Sequence, residues 1–482
     1  MSDTPRRNAP HVTAPDPTMT MRNIIRLAPL AGAFCASSLF AQASPPTFAE
    51  RVAPARINPA VHNANVTFTK DVAPILQANC QQCHQPGSIA PISLLTYDDA
   101  KKYSNRIRNK VSARLMPPWH IDKTVGIQAF KNDRSLSDQQ IATIVDWVNA
   151  GSPLGDPKDM PPAVKFPDPN RWQLAEKLNQ QPDLIIKSKP YSLAAHTQDK
   201  WFRPVVETGV TEPRWVRAIE VKPARDQDRK IVHHALAYLV QDEPDGVTGL
   251  ASSAHDHQAN AGLFMEWAVG KTGQIYNEDA GKLMLPGSRI RWEVHMHANG
   301  QEYKDSQVEM AIYFYPKGFV PKHRTVLRMF DVSRGSELDI PPNTKSITQN
   351  FYTLPAPARL ENFQPHMHMR GTQMSLEAIF PDGHKELISQ VSNFQWNWHI
   401  NYIYADSVAP LLPKGTMLAF TAWHDNTAAN PLNPDPNQWI GWGDRTVDEM
   451  AHNWIDVTYL EQDEFDRMVA DRKAKQIRKV VP

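Results

Sequence analysis

Trp215-Val216-Arg217-Ala218-Ile219-Glu220-Val221 is a run of β-branched, aromatic and charged residues that reads as an alternating strand. Similar runs recur from Trp201 onward and are broken at short intervals by Pro, Gly, Asn and Asp. The 482 residues include 41 Pro and 21 Gly, and helical periodicity is scarce beyond the first third, so most of the chain is expected to be β-sheet with many turns. That length also exceeds what one core usually holds, and predicts several domains.

Three histidine groups and a late methionine punctuate these strands: His233-His234, His295-Met296-His297, His366-Met367-His368 and Met450. In a strand, residues i and i+2 point to the same side, so His366 and His368 can converge on one metal ion. His233 and His234 point to opposite faces of a regular strand and can share an ion only at a bulge or a strand end. Imidazole suits copper, zinc, iron and nickel, whereas a thioether added to two imidazoles shifts the preference toward copper(I). His297, two residues after His295, would face the same way and could substitute for it.

The front third carries a different signal. Cys80-Gln81-Gln82-Cys83-His84 places two thiols where each can add to a vinyl group of one haem, with His84 adjoining to bind the iron. No second Cys pair is available for a zinc site. A short helix is expected to enter this motif, a second spans Asp98 to Val111, and Ser137-Asp138-Gln139-Gln140 caps a third. Met116, between Leu115 and the stiff Pro117-Pro118 pair, is the expected sixth ligand. His120 is its rival, and an open sixth position is the third option. Residues 65–160 therefore resemble a class I cytochrome c domain, a small all-α unit with haem c as its cofactor.

Met21-Arg22-Asn23 leads through Arg26 into the apolar run 27–40 and an Ala41-Gln42-Ala43 site, which reads as a secretory signal peptide over 1–43 and predicts a periplasmic protein. Of three Cys, Cys35 leaves with that segment and Cys80 and Cys83 are committed to haem, so the mature chain has no disulfide. The 52 Lys and Arg against 51 Asp and Glu leave no basic field for nucleic acid. No later apolar run approaches the ~20 residues of a membrane span. Residues 44–64 and 161–200 read as linkers, the latter irregular, and 466–482 as a charged tail of helical period that begins near Glu461.

Ile231-Val232-His233-His234-Ala235-Leu236, Trp292-Glu293-Val294-His295, Gln364-Pro365-His366-Met367-His368 and Asp448-Glu449-Met450 together resemble, in order, the copper type II ascorbate-dependent monooxygenases. That family includes peptidylglycine α-hydroxylating and dopamine β-monooxygenases. The resemblance implies tandem jelly-roll β-sandwiches, here 201–345 and 346–465, facing each other across a solvent-filled cleft. It implies two copper ions. His233, His234 and His295 would form an electron-relaying site, and His366, His368 and Met450 the site where O2 binds and a small organic substrate is hydroxylated.

Some positions depart from the family. Gln364 stands where the peptide-amidating members place a carboxylate-binding Arg, and His452 and Trp454 where they place substrate-holding Asn and Tyr, which argues against a C-terminal glycine peptide. His424-Asp425-Asn426 reads as a solvated turn, with orientation of a ligand imidazole as the alternative, and His255-Asp256-His257 as loop. The expected function is a periplasmic copper-dependent monooxygenase fed through the haem by an external electron donor. The alternative is a haem and copper electron-transfer or copper-binding protein that hydroxylates nothing.

Overall fold

The computed structural model describes residues 65–480 apart from 87, 89, 167, 169, 243–260, 269–270, 272 and 333–336. The signal segment, the 44–64 linker and His255-Asp256-His257 lie outside the described residues. Those described are mostly β-sheet, preceded by a small helical part.

In the helical part, the π-turn Phe68–Val72 runs into the helix Ala73–Asn79, with Pro74 in the first turn, where its missing N–H costs nothing. The expected single helix over 98–111 is two, Tyr97–Lys102 and Ser104–Ser112, because Tyr103 folds its N–H onto the Asp99 and Lys101 carbonyls. Ser137 and Gln140 form the capping box that starts Asp138–Asn149. Phe68, Leu76, Ile107, Val111, Ile144 and Trp147 close a core beside Cys80.

Residues 119–131 leave that bundle and run along the edge of a four-stranded sheet. The N–H groups of Asp122 and Ile127 donate to the carbonyls of Gln390 and Ile388 at 2.8 and 2.9 Å. Gly126 is at φ +65°, and a Cβ there would sit 2.5 Å from the Ile388 oxygen, so only glycine fits. Trp119 meets Tyr402 edge-on at 4.8 Å, and Phe130 stacks on Tyr404 at 5.7 Å.

The 161–200 stretch is more regular than its composition implies. Gln173–Leu178 is a helix whose Gln173 and Leu174 N–H groups donate to the Glu220 carboxylate at 3.0 and 2.9 Å. Leu184–Lys187 then adds an antiparallel strand to Val308–Phe314. The tail helix Gln462–Val480 begins by docking Glu464 against Lys322 and His323.

One sheet, of eleven strands among the described residues, passes through both β halves. Its seam is His323–Asp331, parallel to Ala280–Met284 on one side and antiparallel to Ala451–Tyr459 on the other. A five-stranded sheet containing Val232–Val240 and Arg289–Met296 covers one half, with Val221, Ala235, Trp292, Val294 and Ile312 between the layers. A four-stranded sheet covers the other, with Phe330, Leu376, Phe420 and Ile455 between. Each layer buries one apolar face against the next, which is what holds a β chain without disulfides. Among the described residues, Cys80 and Cys83 form no disulfide. The buried pair Lys282–Asp456, 3.0 Å apart, ties the halves together.

Candidate metal centre

Val232–Val240 and Arg289–Met296 pair antiparallel with His234 opposite His295, and the next register pair is Val232 with Met296. His233 is thus an extra residue, a β-bulge, and the bulge turns its ring toward the same region as that of His234. Their Nδ1 atoms lie 3.1 Å apart. The His295 ring is centred 4.9 Å from His234 and 5.4 Å from His233, and lies flat on Trp201 at 4.5 Å.

Asp199 holds His295 from behind, with its Oδ2 3.3 Å from Nε2. The same carboxylate takes His297 Nδ1 at 2.7 Å and the Thr446 hydroxyl at 3.0 Å. Those partners, His295 first, keep the Asp199 carboxyl well below the usual range. His297 is therefore an exposed partner of Asp199, turned outward from the buried rings.

The second group sits where Asn362–Met367 meets Ala451–Tyr459. His366 is directly opposite His452, and their rings stack at 4.5 Å. Trp454, opposite Gln364, lies 5.0 Å from the His366 ring. His368 and Met450 fall just past the last register pair, and Glu449 joins their backbones by accepting the N–H of His368 at 2.9 Å and of Met450 at 3.2 Å. His368 Nδ1 lies 3.2 Å from the Asp448 carbonyl, which accepts from it and leaves Nε2 free. The ring centres of His366 and His368 are 5.3 Å apart.

Where the resemblance implies a solvent-filled cleft between the two groups, the rings of His234 and His366 are 5.8 Å apart and both are buried. His399, buried in the loop after Phe394, fills the space between them. It lies 4.4 Å from His366 and 5.3 Å from each of His233 and His234 by ring centre. The ligating atoms of His233, His234 and His399 all fall within 4.8 Å of one another. Its carbonyl accepts from Gln364 Nε2 at 3.4 Å, and Gln364 in turn donates to Glu266 at 2.7 Å, beside Lys271. Sequence reading missed His399 because it has no neighbour at ligand spacing. The aromatic run Trp396-Asn397-Trp398-His399, unlike the Pro- and Asn-rich loops elsewhere, was its only signal.

His424-Asp425-Asn426 corrects the expected solvated turn. All three are buried at the end of Met417–Asp425, a strand paired on both sides, and His424 Nε2 stands 3.7 Å from the Glu449 carboxylate.

Burial pushes the imidazoles of His233 and His368 down to about 4 and that of His452 to about 3. His234, His366 and His399 fall well below the usual histidine range from burial first, and then from the charge each ring would impose on the others. These rings are therefore neutral near pH 7, the form that offers a lone pair to a metal. Nδ1 of His295 and Nε2 of His452 are buried with no hydrogen-bond partner among the described residues. Such atoms are costly to bury unless something binds them. The donor set fits copper in its imidazoles, which are neutral where burial lowers them, and in the carboxylate that orients one ring from outside.

Residues 80–84 form a single turn at the end of the first helix. Helix Ala73–Asn79 ends at Cys80, and the N–H groups of Cys83 and His84 both fold back onto the Cys80 carbonyl at 3.2 and 3.0 Å, gathering both thiols and the imidazole into one turn. His84 Nδ1 lies 3.1 Å from the Ile92 carbonyl, which fixes that nitrogen as donor and leaves the lone pair on Nε2. Burial, and then Cys83, push the Cys80 thiol up to about 12. Met116 and its rival His120 both line a cavity of about 890 Å³ between Leu136 and Ile141 of the helical part and Ser392 and Asn393 of the β part. His120 is buried, its Nε2 has no partner among the described residues, and burial lowers it to about 4.

No protein-family model matches this chain, and no curated protein matches it. Among solved structures, that of infectious bursal disease virus Gx strain is 9% identical over 59% of this chain and 74% of its own, with a TM-score of 0.16. The structure of allantoicase is 7% identical over 49% and 81%, with a TM-score of 0.14. Likenesses of that depth carry no argument about fold or function. No helix among the described residues is long and apolar enough to cross a membrane.

Proposed function

We propose that this chain is a periplasmic copper-dependent monooxygenase in which a cytochrome c-like front domain passes electrons to two copper positions held between jelly-roll β-sandwiches. The observation that carries this reading is the set of buried imidazoles drawn from both β halves, two of which, His295 and His452, have a buried nitrogen with no partner among the described residues. His233, His234 and His295 would hold one copper ion, and His366, His368 and Met450 the other. Cys80, Cys83 and His84 would hold haem c, with Met116 as the sixth ligand. When bound, haem supplies one-electron delivery, and copper supplies one-electron storage and the activation of O2 for insertion into a C–H bond.

The chain's own residues prepare that chemistry. Asp199 sets the His295 ring, the Asp448 carbonyl sets the His368 tautomer, and the Ile92 carbonyl sets that of His84. Their effect is to spend orientation before any ligand arrives. Burial of the rings excludes bulk water, which protects a reactive site from side reactions. A cavity of about 270 Å³ lined by Lys271, Tyr276, Trp398 and His399 offers a small molecule a way in. Two electrons are needed for each oxygen atom inserted and one haem carries one at a time, so an external periplasmic donor is part of the proposal.

The test is copper and haem stoichiometry on the purified full chain, followed by oxygen uptake with candidate substrates. Two copper ions per chain, falling to one in His233→Ala and in His366→Ala, together with an oxygenated product, is the expected result. Absence of copper sinks the proposal. Reoxidation of the reduced protein by O2 without any product leaves the plain electron carrier.

A further inference from the structure

We infer that His399 is a metal ligand of this centre, binding the ion held by His233 and His234 and linking it through one hydrogen bond to His366. The inference rests on the copper-binding reading above and deepens it, since the motifs that carry that reading do not include His399.

The geometry has three parts. The first is reach: the ligating atoms of His233, His234 and His399 lie within 4.8 Å of one another. An ion about 2.0–2.1 Å from each imidazole nitrogen spans up to about 4 Å between ligands, so modest side-chain rotation closes the set. The second is position. His399 Nδ1 is 2.6 Å from His366 Nδ1, so one ring donates and the other accepts, and the histidines of the two β halves are joined directly. The third is restraint. Gln364, bonded to the buried Glu266–Lys271 pair, also donates to the His399 carbonyl, so the loop is pinned where the ring is needed.

A packing histidine would account for burial alone. It would not account for a ring 97% hidden whose surroundings are other imidazoles, with His233, His234 and His366 all within 5.3 Å by ring centre. Access is present too, because His399 lines the 270 Å³ cavity, which admits a molecule of imidazole size.

The test uses the metal-free full chain titrated with one equivalent of copper(II), read by copper affinity and by electron paramagnetic resonance. His399→Gln should lower copper affinity by at least about tenfold, on the scale set by loss of even an indirect ligand partner, and should alter the copper hyperfine splitting. His399→Gly with free imidazole added should recover the original spectrum, while the unmodified chain's spectrum should not change. Unfolding midpoints of both variants, measured without metal, guard against a general loss of fold. A His399→Gln chain with unaltered affinity and spectrum overturns the inference and leaves the copper reading intact. So does a loss that imidazole does not restore in a folded His399→Gly chain. An unmodified chain that binds no copper overturns both.

Discussion

The carboxylate of Glu449, fully buried, accepts the backbone N–H of His368 at 2.9 Å. It also takes the N–H groups of Arg370 at 2.5 Å and Met450 at 3.2 Å, so a single side chain fixes two strand ends and two proposed ligands. Glu449→Ala leaves three buried donors without a partner, at about 1–3 kcal/mol each, partly recovered by relaxation. The expected loss is about 3 kcal/mol in denaturant unfolding, with weaker copper binding at the His368 side. Glu449→Gln keeps an acceptor and should lose less than half as much. Equal midpoints for Glu449→Ala and the unmodified chain would remove this role.

Acid should destabilise the metal-free protein. For a histidine whose folded pKa lies below its unfolded value, the unfolded chain binds more protons between the two, so stability falls as pH drops through that window. With His120, His233, His368 and His424 lowered to about 4 and His452 to about 3, the window runs from the ordinary histidine value near 6.5 down to about 4. Glu449 opposes them: burial raises it to about 7, so the folded chain binds the extra proton and stability falls as pH rises toward 7. One carboxyl against five or more imidazoles leaves the imidazoles in control. At pH 5.5 each contributes about 1.4 kcal/mol of destabilisation. Unfolding midpoints should therefore drop steeply between pH 6.5 and 5, and His120→Phe should flatten the slope by about one proton. A flat profile over that range would mean the rings are not buried and neutral.

Lys282 and Asp456 form an ion pair that bridges the β halves with both side chains hidden. Gln274 Nε2 adds a bond to the carboxylate at 2.6 Å. Burial lowers the lysine pKa while the aspartate holds it up, and removing one partner strands the other charge at a cost of about 3–5 kcal/mol. Lys282→Met should lose that much in thermal unfolding. Lys282→Met combined with Asp456→Asn should recover most of it, because no charge is left uncompensated. A double variant as unstable as the single one would show that shape, not charge, governs the seam.

Much of the candidate centre was legible because its residues come in local patterns. The spacing of His366 and His368 needs only strand geometry, and the condition set for His233 and His234, a bulge, is met by the register jump opposite Met296. The Ser137 capping box is likewise written in adjacent residues. What escaped is long-range. His399 becomes interesting only when two β halves close around it, and the helix and strand within 161–200 exist because Glu220 and the strand Val308–Phe314 receive them. The buried His424-Asp425-Asn426 looked like a turn because short polar residues favour turns, a local preference overridden here by strand pairing on both sides.

The run Trp119 to Lys131 illustrates the same limit and yields the last prediction. Nothing in its period marks it as part of a β layer, yet Trp119 is 5% exposed and packs with Phe130 and Tyr402 in the core of the second β half. It also covers Lys385–Val391, an edge strand whose free carbonyls would otherwise face water or another chain. Trp119→Ala should cost about 3–5 kcal/mol, the usual range for deleting a buried aromatic. The loss should appear as faster hydrogen exchange in Lys385–Val391 and its neighbour Gly371–Ile379, while the helix Asp138–Asn149 keeps its protection. If instead the helices lose protection and the edge strand does not, the run is a tether of the helical part rather than a clasp on the sheet. The aromatic contacts of Trp119 would then contribute little to the β layer that they touch.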